Sequence, residues 1–353
     1  MTSAEPVMEK TAVEVLEAKE ARKRKRAERR EKQRVANVKR AEKMHKLRLR
    51  LEEDHALASA NSALAASSAS SVAGPEATPA PTPAAAPTSV AVPLPTQAPA
   101  PVQSSADDTN IHIGCSGWFY WRWRNDFYPQ DMPTSEWFSH YAAHFKTVEI
   151  NASFYSWPTE ATVKTWIKQA GEREFVYTVK VCELITHIKK FEETQTLVKD
   201  FGLIANLLGA QMGCFLFQLP PSVHYSQAGL DNILGQLDHT RRNVVEFRHA
   251  SWWNETVYAA FRKTGTIFCS CSGPRLPDEL VTTSDDIYLR LHGVKQWYKH
   301  DYSAEELGVW CQRILASGAR RIWVYFNNDY DGYATRNAQL LSTLLNQARL
   351  QQP

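Results

Sequence analysis

Three strand-like stretches of this 353-residue chain set chemically able side chains two residues apart. Residues 147–151 carry Glu149 and Asn151, residues 244–248 carry Glu246 and Arg248, and residues 287–292 carry Arg290 and His292. Strand side chains alternate between faces, so the members of each pair point the same way. Glu149 and Glu246 have the right chemistry for a general acid and base, or for binding a metal with His249 or His292. Arg248, Arg290 and Lys180 are suited to holding an anionic group, the arginines through bidentate contacts to phosphate. Other strand ends, and the loops that leave them, add Ser116, Trp118, Tyr155, His187, Gln218, Asn327, Asn328 and Asp329 as candidate substrate-binding residues. Trp252 and Tyr298 are further candidates to wall a pocket. The spacing does not match a metal signature such as HExxH, so a divalent metal stays an alternative and not a required cofactor.

The same residues admit plainer roles. An inward Glu246–Arg248 pair can be an ion pair that closes a barrel. His187, next to Thr186, can cap a helix. Trp252 and Trp253 can simply pack. Lys180 is harder to place structurally, because an unpartnered inward ammonium is unfavourable.

Hydrophobic patterning predicts the elements that carry these residues. Strands are expected over 111–116, 147–151, 175–181, 213–219, 244–248, 266–270, 287–292 and 322–327. Helices are expected over 134–145 (capped by Thr134 or Ser135), 159–170, 193–208, 227–237, 255–263, 304–316 and 334–348, with a short or missing one after the sixth strand. Eight strands, nearly all followed by a helix, make an α/β chain of the (β/α)8 TIM-barrel type. A doubly wound sheet would need a Gly-rich first turn, which residues 114–118 do not supply. In a barrel, the polar strand ends gather at one mouth.

Charge is segregated along the chain. The net charge is +3, yet residues 19–50 hold sixteen Lys or Arg against four Glu, and residues 109–353 are near neutral. Residues 1–55 read as a basic, solvent-exposed helical arm, rich in Ala, Glu, Lys and Arg, with too few apolar positions for a coiled-coil seam. The five basic residues at 22–26 allow a nuclear-localisation, nucleic-acid or protein-partner role for the arm 19–50; a solvated helix without a partner is the alternative. Residues 56–108 hold nine of the eighteen prolines and read as a disordered Ala/Pro/Ser/Thr linker. The barrel is then expected over 109–353. Cys115, Cys182, Cys214, Cys269, Cys271 and Cys311 show no CxxC spacing, which fits a reducing compartment and core positions. No apolar run approaches a membrane span, and the glutamates in the first twenty residues argue against a mitochondrial presequence. The expectation is a soluble cytoplasmic or nuclear protein.

Several blocks resemble the YecE-like family, also called domain of unknown function 72. They are Ile113-Gly-Cys-Ser-Gly-Trp118, Phe127-Tyr-Pro129, Phe145-Lys-Thr-Val-Glu-Ile-Asn-Ala-Ser-Phe-Tyr155, Thr186-His187, Gln218-Leu-Pro-Pro221, Val245-Glu-Phe-Arg-His-Ala-Ser-Trp252, Leu289-Arg-Leu-His-Gly293 and Tyr325-Phe-Asn-Asn-Asp329. The resemblance implies a TIM barrel over residues 111–349 and brings no established reaction. The sixth strand departs from it, with Cys269-Ser-Cys271 where an acidic residue is expected. The functional expectation is a hydrolase acting on a small anionic or nucleic-acid substrate that contains phosphate. The alternatives are a carbohydrate-acting hydrolase, and a non-enzymatic binding module tethered by its basic arm.

Overall fold

Eight parallel strands run in the order β1-β8-β7-β6-β5-β4-β3-β2 in a computed structural model that describes residues 12–70 and 110–351. The strands are β1 (Asn110–Cys115), β2 (Thr147–Ile150), β3 (Val176–Lys180), β4 (Met212–Gln218), β5 (Asn243–Glu246), β6 (Ile267–Ser272), β7 (Asp286–Leu291) and β8 (Arg321–Phe326). Helix α1 (Ala12–Ser70) precedes the sheet. The crossovers carry α2 (Trp137–His144), the one-turn α3 (Ala152–Tyr155), α4 (Glu160–Ala170), α5 (Gln195–Leu208), α6 (Gln227–Gln236), α7 (Glu255–Thr264) and α8 (Ala304–Ala316); α9 (Tyr333–Leu350) follows β8. No helix separates β6 from β7, as the sequence led one to expect. This is a nearly closed TIM barrel.

Strand residues are almost uniformly buried, as a parallel sheet covered by helices requires. The helices have ordinary start signals: Thr159, Ser226, Asn254 and Ser303 each accept a backbone N–H at the first turn of α4, α6, α7 and α8. The expected cap at Thr134 or Ser135 is not formed; those residues lie inside a 3-10 turn, Thr134–Glu136, that leads into α2.

The interior is layered. At the amino-terminal end, Trp323 Nε1 donates to Asp286 Oδ1 at 3.0 Å and stacks on His112. Above them, Tyr325 places its hydroxyl 2.7 Å from Thr147 Oγ1 and 2.9 Å from Thr178 Oγ1. Cys214, Leu216, Val244, Cys269 and Cys271 fill the space around these rings.

No backbone ladder joins β1 to β2 among the described residues. Tyr141 of α2 bridges the gap: its hydroxyl accepts Cys115 N–H at 2.8 Å and donates to Thr147 O at 2.9 Å. A Cβ at position 114 would drive into Thr147 O and the Tyr141 hydroxyl, so glycine is required there.

The arm and linker differ from expectation. Helix α1 continues past residue 55 to Ser70, and the remaining linker positions, 71–108, lie outside the described residues. The arm is also not wholly solvent-exposed, since Asn37, Ala41 and Met44 are buried. That face is short and centred on the polar Asn37, with only Ala41 and Met44 as buried apolar residues, so it leaves little apolar periodicity to read. Residues 12–44 belong with the barrel, and His45 begins a second unit.

Candidate active site at the carboxyl-terminal mouth

Two carboxylates and two guanidiniums form a network under the mouth. Arg290, on β7, donates from Nη2 to Glu149 Oε1 at 2.6 Å and from Nη1 to Glu246 Oε2 at 2.5 Å. Glu149, on β2, also accepts from Ser116 Oγ at 2.7 Å and from the Tyr288 hydroxyl at 2.6 Å. Glu246, at the end of β5, accepts from Arg248 Nε on its other oxygen. All three of Glu149, Glu246 and Arg290 are sealed from solvent. Burial alone would raise the Glu246 carboxyl, but Arg248 and Arg290 hold it well below the usual carboxylate range. Two carboxylates and two guanidiniums leave this group with no net formal charge.

His292 sits at the rim of the network. Arg248 Nη2 lies 3.1 Å from its Nε2, and Asn327 Nδ2 lies 3.2 Å from its Nδ1. Nε2 also faces Glu246 Oε1 at 3.5 Å, and the donor and acceptor roles of the two ring nitrogens follow the tautomer. Burial, reinforced by Arg248 and Arg290, keeps the ring neutral.

Lys180 stands apart from these ion pairs. Its Nζ donates to Gln218 Oε1 at 2.7 Å and lies 4.2 Å from the Phe154 ring centre. Burial and then the neighbouring Arg290 lower its pKa to about 7, with Arg248 in the same direction and Glu246 and Glu149 opposing. Gln218 Nε2 is also 3.4 Å from His187 Nε2, and burial with Lys180 lowers that ring's pKa to about 4. His187 lies in a π-helical turn, Leu184–Ile188, a geometry frequent at functional sites.

Solvent reaches the floor of the mouth at Lys180, Gln218, Asn327 and Arg248, each less than a tenth exposed. Trp297 flanks it, its ring 4.5 Å from the Arg248 guanidinium, and Tyr298 stands edge-on to His292 at 6.1 Å. Asn151 Nδ2 donates to Ser116 O at 3.2 Å.

Other expected residues fall outside this group. His249 stacks on His224 at 3.8 Å and pairs with Ser251 Oγ at 2.8 Å. Trp252 is a core residue stacked on Phe247, and Trp253 packs edge-on to Phe268. Asn328 ties His300 O to Asn337. Trp118 leans on Phe138, and Tyr155 is exposed beside Phe154. Asp329 is half-buried, its carboxyl raised by burial, with the Tyr120 hydroxyl and Arg122 pulling the other way. Two surface hollows, of about 580 and about 600 Å³, are lined by none of the mouth residues.

Sequence reading missed Tyr288, Phe154 and Trp297. Tyr288 shares the face of Arg290 by alternation and was open to discovery. Trp297 lies in an irregular loop without periodicity.

Glu246, Cys271 and His292 have donor atoms within 4.8 Å of one another. They do not fit a divalent ion as arranged. Arg248 already contacts both Glu246 and His292 Nε2, so a guanidinium takes the donors that a metal would need.

Comparison with known proteins agrees with this architecture. The chain is similar to the UPF0759 protein YunF of Bacillus subtilis (strain 168), 25% identical over 273 residues that cover 67% of this chain and 94% of that protein. A DUF72 family protein from Thermotoga maritima MSB8 superposes with a TM-score of 0.62 at 26% identity, covering 67% of this chain and 99% of that one. A second, from Enterococcus faecalis V583, gives 0.58 at 18% identity, covering 67% and 95%, and so speaks for the fold alone. Among the described residues, no helix is long and apolar enough to cross a membrane. Residues 112–353 match the family described as "Protein of unknown function DUF72", and the chain belongs to that family.

Proposed function

We propose that this chain is an enzyme that hydrolyses a phosphate-containing substrate at the carboxyl-terminal mouth of its barrel. The observation that carries the reading is the state of Lys180. It is a buried amine on a rigid strand, bonded to the neutral Gln218 and not to a carboxylate, with guanidiniums nearby. Such an amine loses its proton near neutral pH and becomes a base. In this reading Arg248 anchors the phosphate at the floor. The oxygen of a water molecule attacks phosphorus, its proton passes to Lys180 Nζ, and the bond to the leaving oxygen breaks. The leaving oxygen then takes a proton from the lysine ammonium.

Glu149 and Glu246 become positioning residues here: each is fully engaged by donors, and they hold Arg290 and Arg248 in place. That arrangement disfavours the carbohydrate-hydrolase alternative, which needs one carboxyl free to give up a proton. The basic residues of 19–34 offer a polynucleotide a second, salt-sensitive attachment, so nucleic acids belong in the substrate class to be tried.

The test uses the purified full-length chain. Thermal shift and phosphate release are measured with inorganic phosphate, sugar phosphates, nucleotides, an oligonucleotide and neutral sugars. Stabilisation by phosphate compounds that weakens in Arg248→Met supports the reading. Stabilisation by a neutral sugar alone, unchanged in Arg248→Met, sinks it.

A further inference from the structure

On helix α1, one buried side chain binds two backbone groups of the barrel. Asn37, wholly buried, donates Nδ2–H to Tyr155 O and accepts Trp157 N–H on Oδ1, both at 2.9 Å. Gln33 Nε2 donates to the same Oδ1 at 3.3 Å, and Arg40 Nη1 donates to Ser156 Oγ at 2.6 Å. Positions 33, 37, 40, 41 and 44 recur at helical spacing, and Ala41 and Met44 are buried on that face too.

The clasped segment, residues 151–157, is the exit from β2 and also a wall of the lysine pocket. Ser153 Oγ donates to Lys180 O at 2.6 Å. The Phe154 ring lies 4.2 Å from Lys180 Nζ and 4.7 Å, edge-on, from the His187 ring. All the clasping residues precede 112–353, the part of the chain that matches the family.

We infer that Asn37 is a positioning residue of the mouth, acting through residues 153–157 to hold Phe154 over the Lys180 amine and limit its contact with bulk water. The charged or titratable groups facing Lys180 are Arg290 from β7, Glu246 from β5, Arg248 just beyond it, Glu149 from β2 and His187 from the π-helical turn. The hydrogen bonds of Asn37 go to none of them, so its route to the lysine is the clasped backbone. Without the amide, Trp157 N–H and Tyr155 O lose their partner and must find water, which opens the wall. Admitting water eases the desolvation that lowers the lysine pKa, so the pKa must rise. The coupling of Asn37 to Lys180 holds whether or not that amine is the base of the proposed hydrolysis.

The experiment measures the acetylation rate of Lys180 by acetic anhydride against pH, read by peptide mass spectrometry. It uses the full-length wild type, Asn37→Ala and Arg40→Met, with the exposed Lys146 as internal control. The wild type should show a midpoint of about 7. Asn37→Ala should move it up by about one pH unit, roughly a tenfold smaller neutral fraction below the midpoint. Arg40→Met, on a partly exposed side chain that leaves the barrel core untouched, should shift it in the same direction by less. Equal midpoints in the wild type and in whichever variants fold overturn the coupling. A wild-type midpoint near 10.5 instead removes Lys180 as the base of the proposed reaction, while a difference between variants still reports the coupling.

Discussion

Arg290 Nη2 lies 2.6 Å from Glu149 Oε1, and neither side chain exposes any surface to solvent. Since Nη1 of the same guanidinium holds Glu246, one arginine on β7 ties β2 to β5 across the barrel. Removing one charge from such a group leaves its partner buried and uncompensated, at a cost of about 3–5 kcal/mol. Glu149→Gln should therefore lower stability on that scale, measured by urea unfolding. The double variant Glu149→Gln/Arg290→Met should lose less than the sum of the two single changes, because the partners act as a unit. A loss below about 1 kcal/mol in Glu149→Gln would show that the network contributes no more than an exposed pair does.

The seam between β1 and β2 makes a separate prediction. Tyr141→Phe removes one hydroxyl and with it both bridging bonds, to Cys115 N–H and to Thr147 O. A buried backbone donor left unpaired costs about 1–3 kcal/mol, so unfolding free energy should fall by that amount. Hydrogen exchange localises the effect: the Cys115 amide should exchange faster in the variant while amides of β7 keep their relative protection. Uniform acceleration across the barrel would mean that the seam is not an independent weak point.

Much of this fold was legible because a barrel repeats one pattern. Each buried strand is a short apolar run, the longer barrel helices carry a 3.6-residue stripe, and α8 falls on the expected 304–316. The mouth was partly legible for the same reason: alternation put Glu149, Glu246, Arg248, Arg290 and His292 on inward faces, and the structure brings them together. Their states were not legible. Whether a carboxylate is free or saturated depends on Ser116, Tyr288 and Arg290 arriving from other strands, which spacing along one strand does not encode. His249 was misplaced because β5 ends at Glu246, and the chain beyond it turns into a 3-10 turn that aims His249 at Ser251. Cys269 and Cys271 prove to be buried interior residues of β6, 3.8 Å apart at sulfur. The docking of α1 left no signal, since Asn37 works by hydrogen bonds inside a charged, low-hydropathy run.

Arg248 occupies the donors that a metal would use, and this can be reversed. Arg248→Met frees Glu246 Oε1 and His292 Nε2 beside Cys271 and removes the competing positive charge. Cysteine, histidine and glutamate together suit zinc. The wild type should show no thermal shift with zinc beyond that of a magnesium control, whereas Arg248→Met should be stabilised by zinc in a concentration-dependent way. Equal zinc-induced stabilisation of both proteins would refute the view that the guanidinium stands in the way of the ion.

Lys180 links stability and activity to the same proton. Its folded pKa of about 7 lies below the ordinary 10.5, so between these values the unfolded chain binds a proton that the folded chain does not. Stability contributed by this group is therefore complete above about pH 10.5 and is lost as pH falls toward about 7. Lys180→Met lacks that slope, so its urea midpoint should vary less than the wild type's from about pH 7 to about pH 10, and it should gain on the wild type toward the acidic end. If Lys180 is also the base, hydrolysis of a phosphate ester should rise with pH through about 7 and then level off. Lys180→Met should abolish that hydrolysis while still binding phosphate through Arg248. Parallel stability curves for the two proteins would show that the amine keeps its ordinary pKa in the folded state, and the proposed base would then be protonated at neutral pH and unable to act.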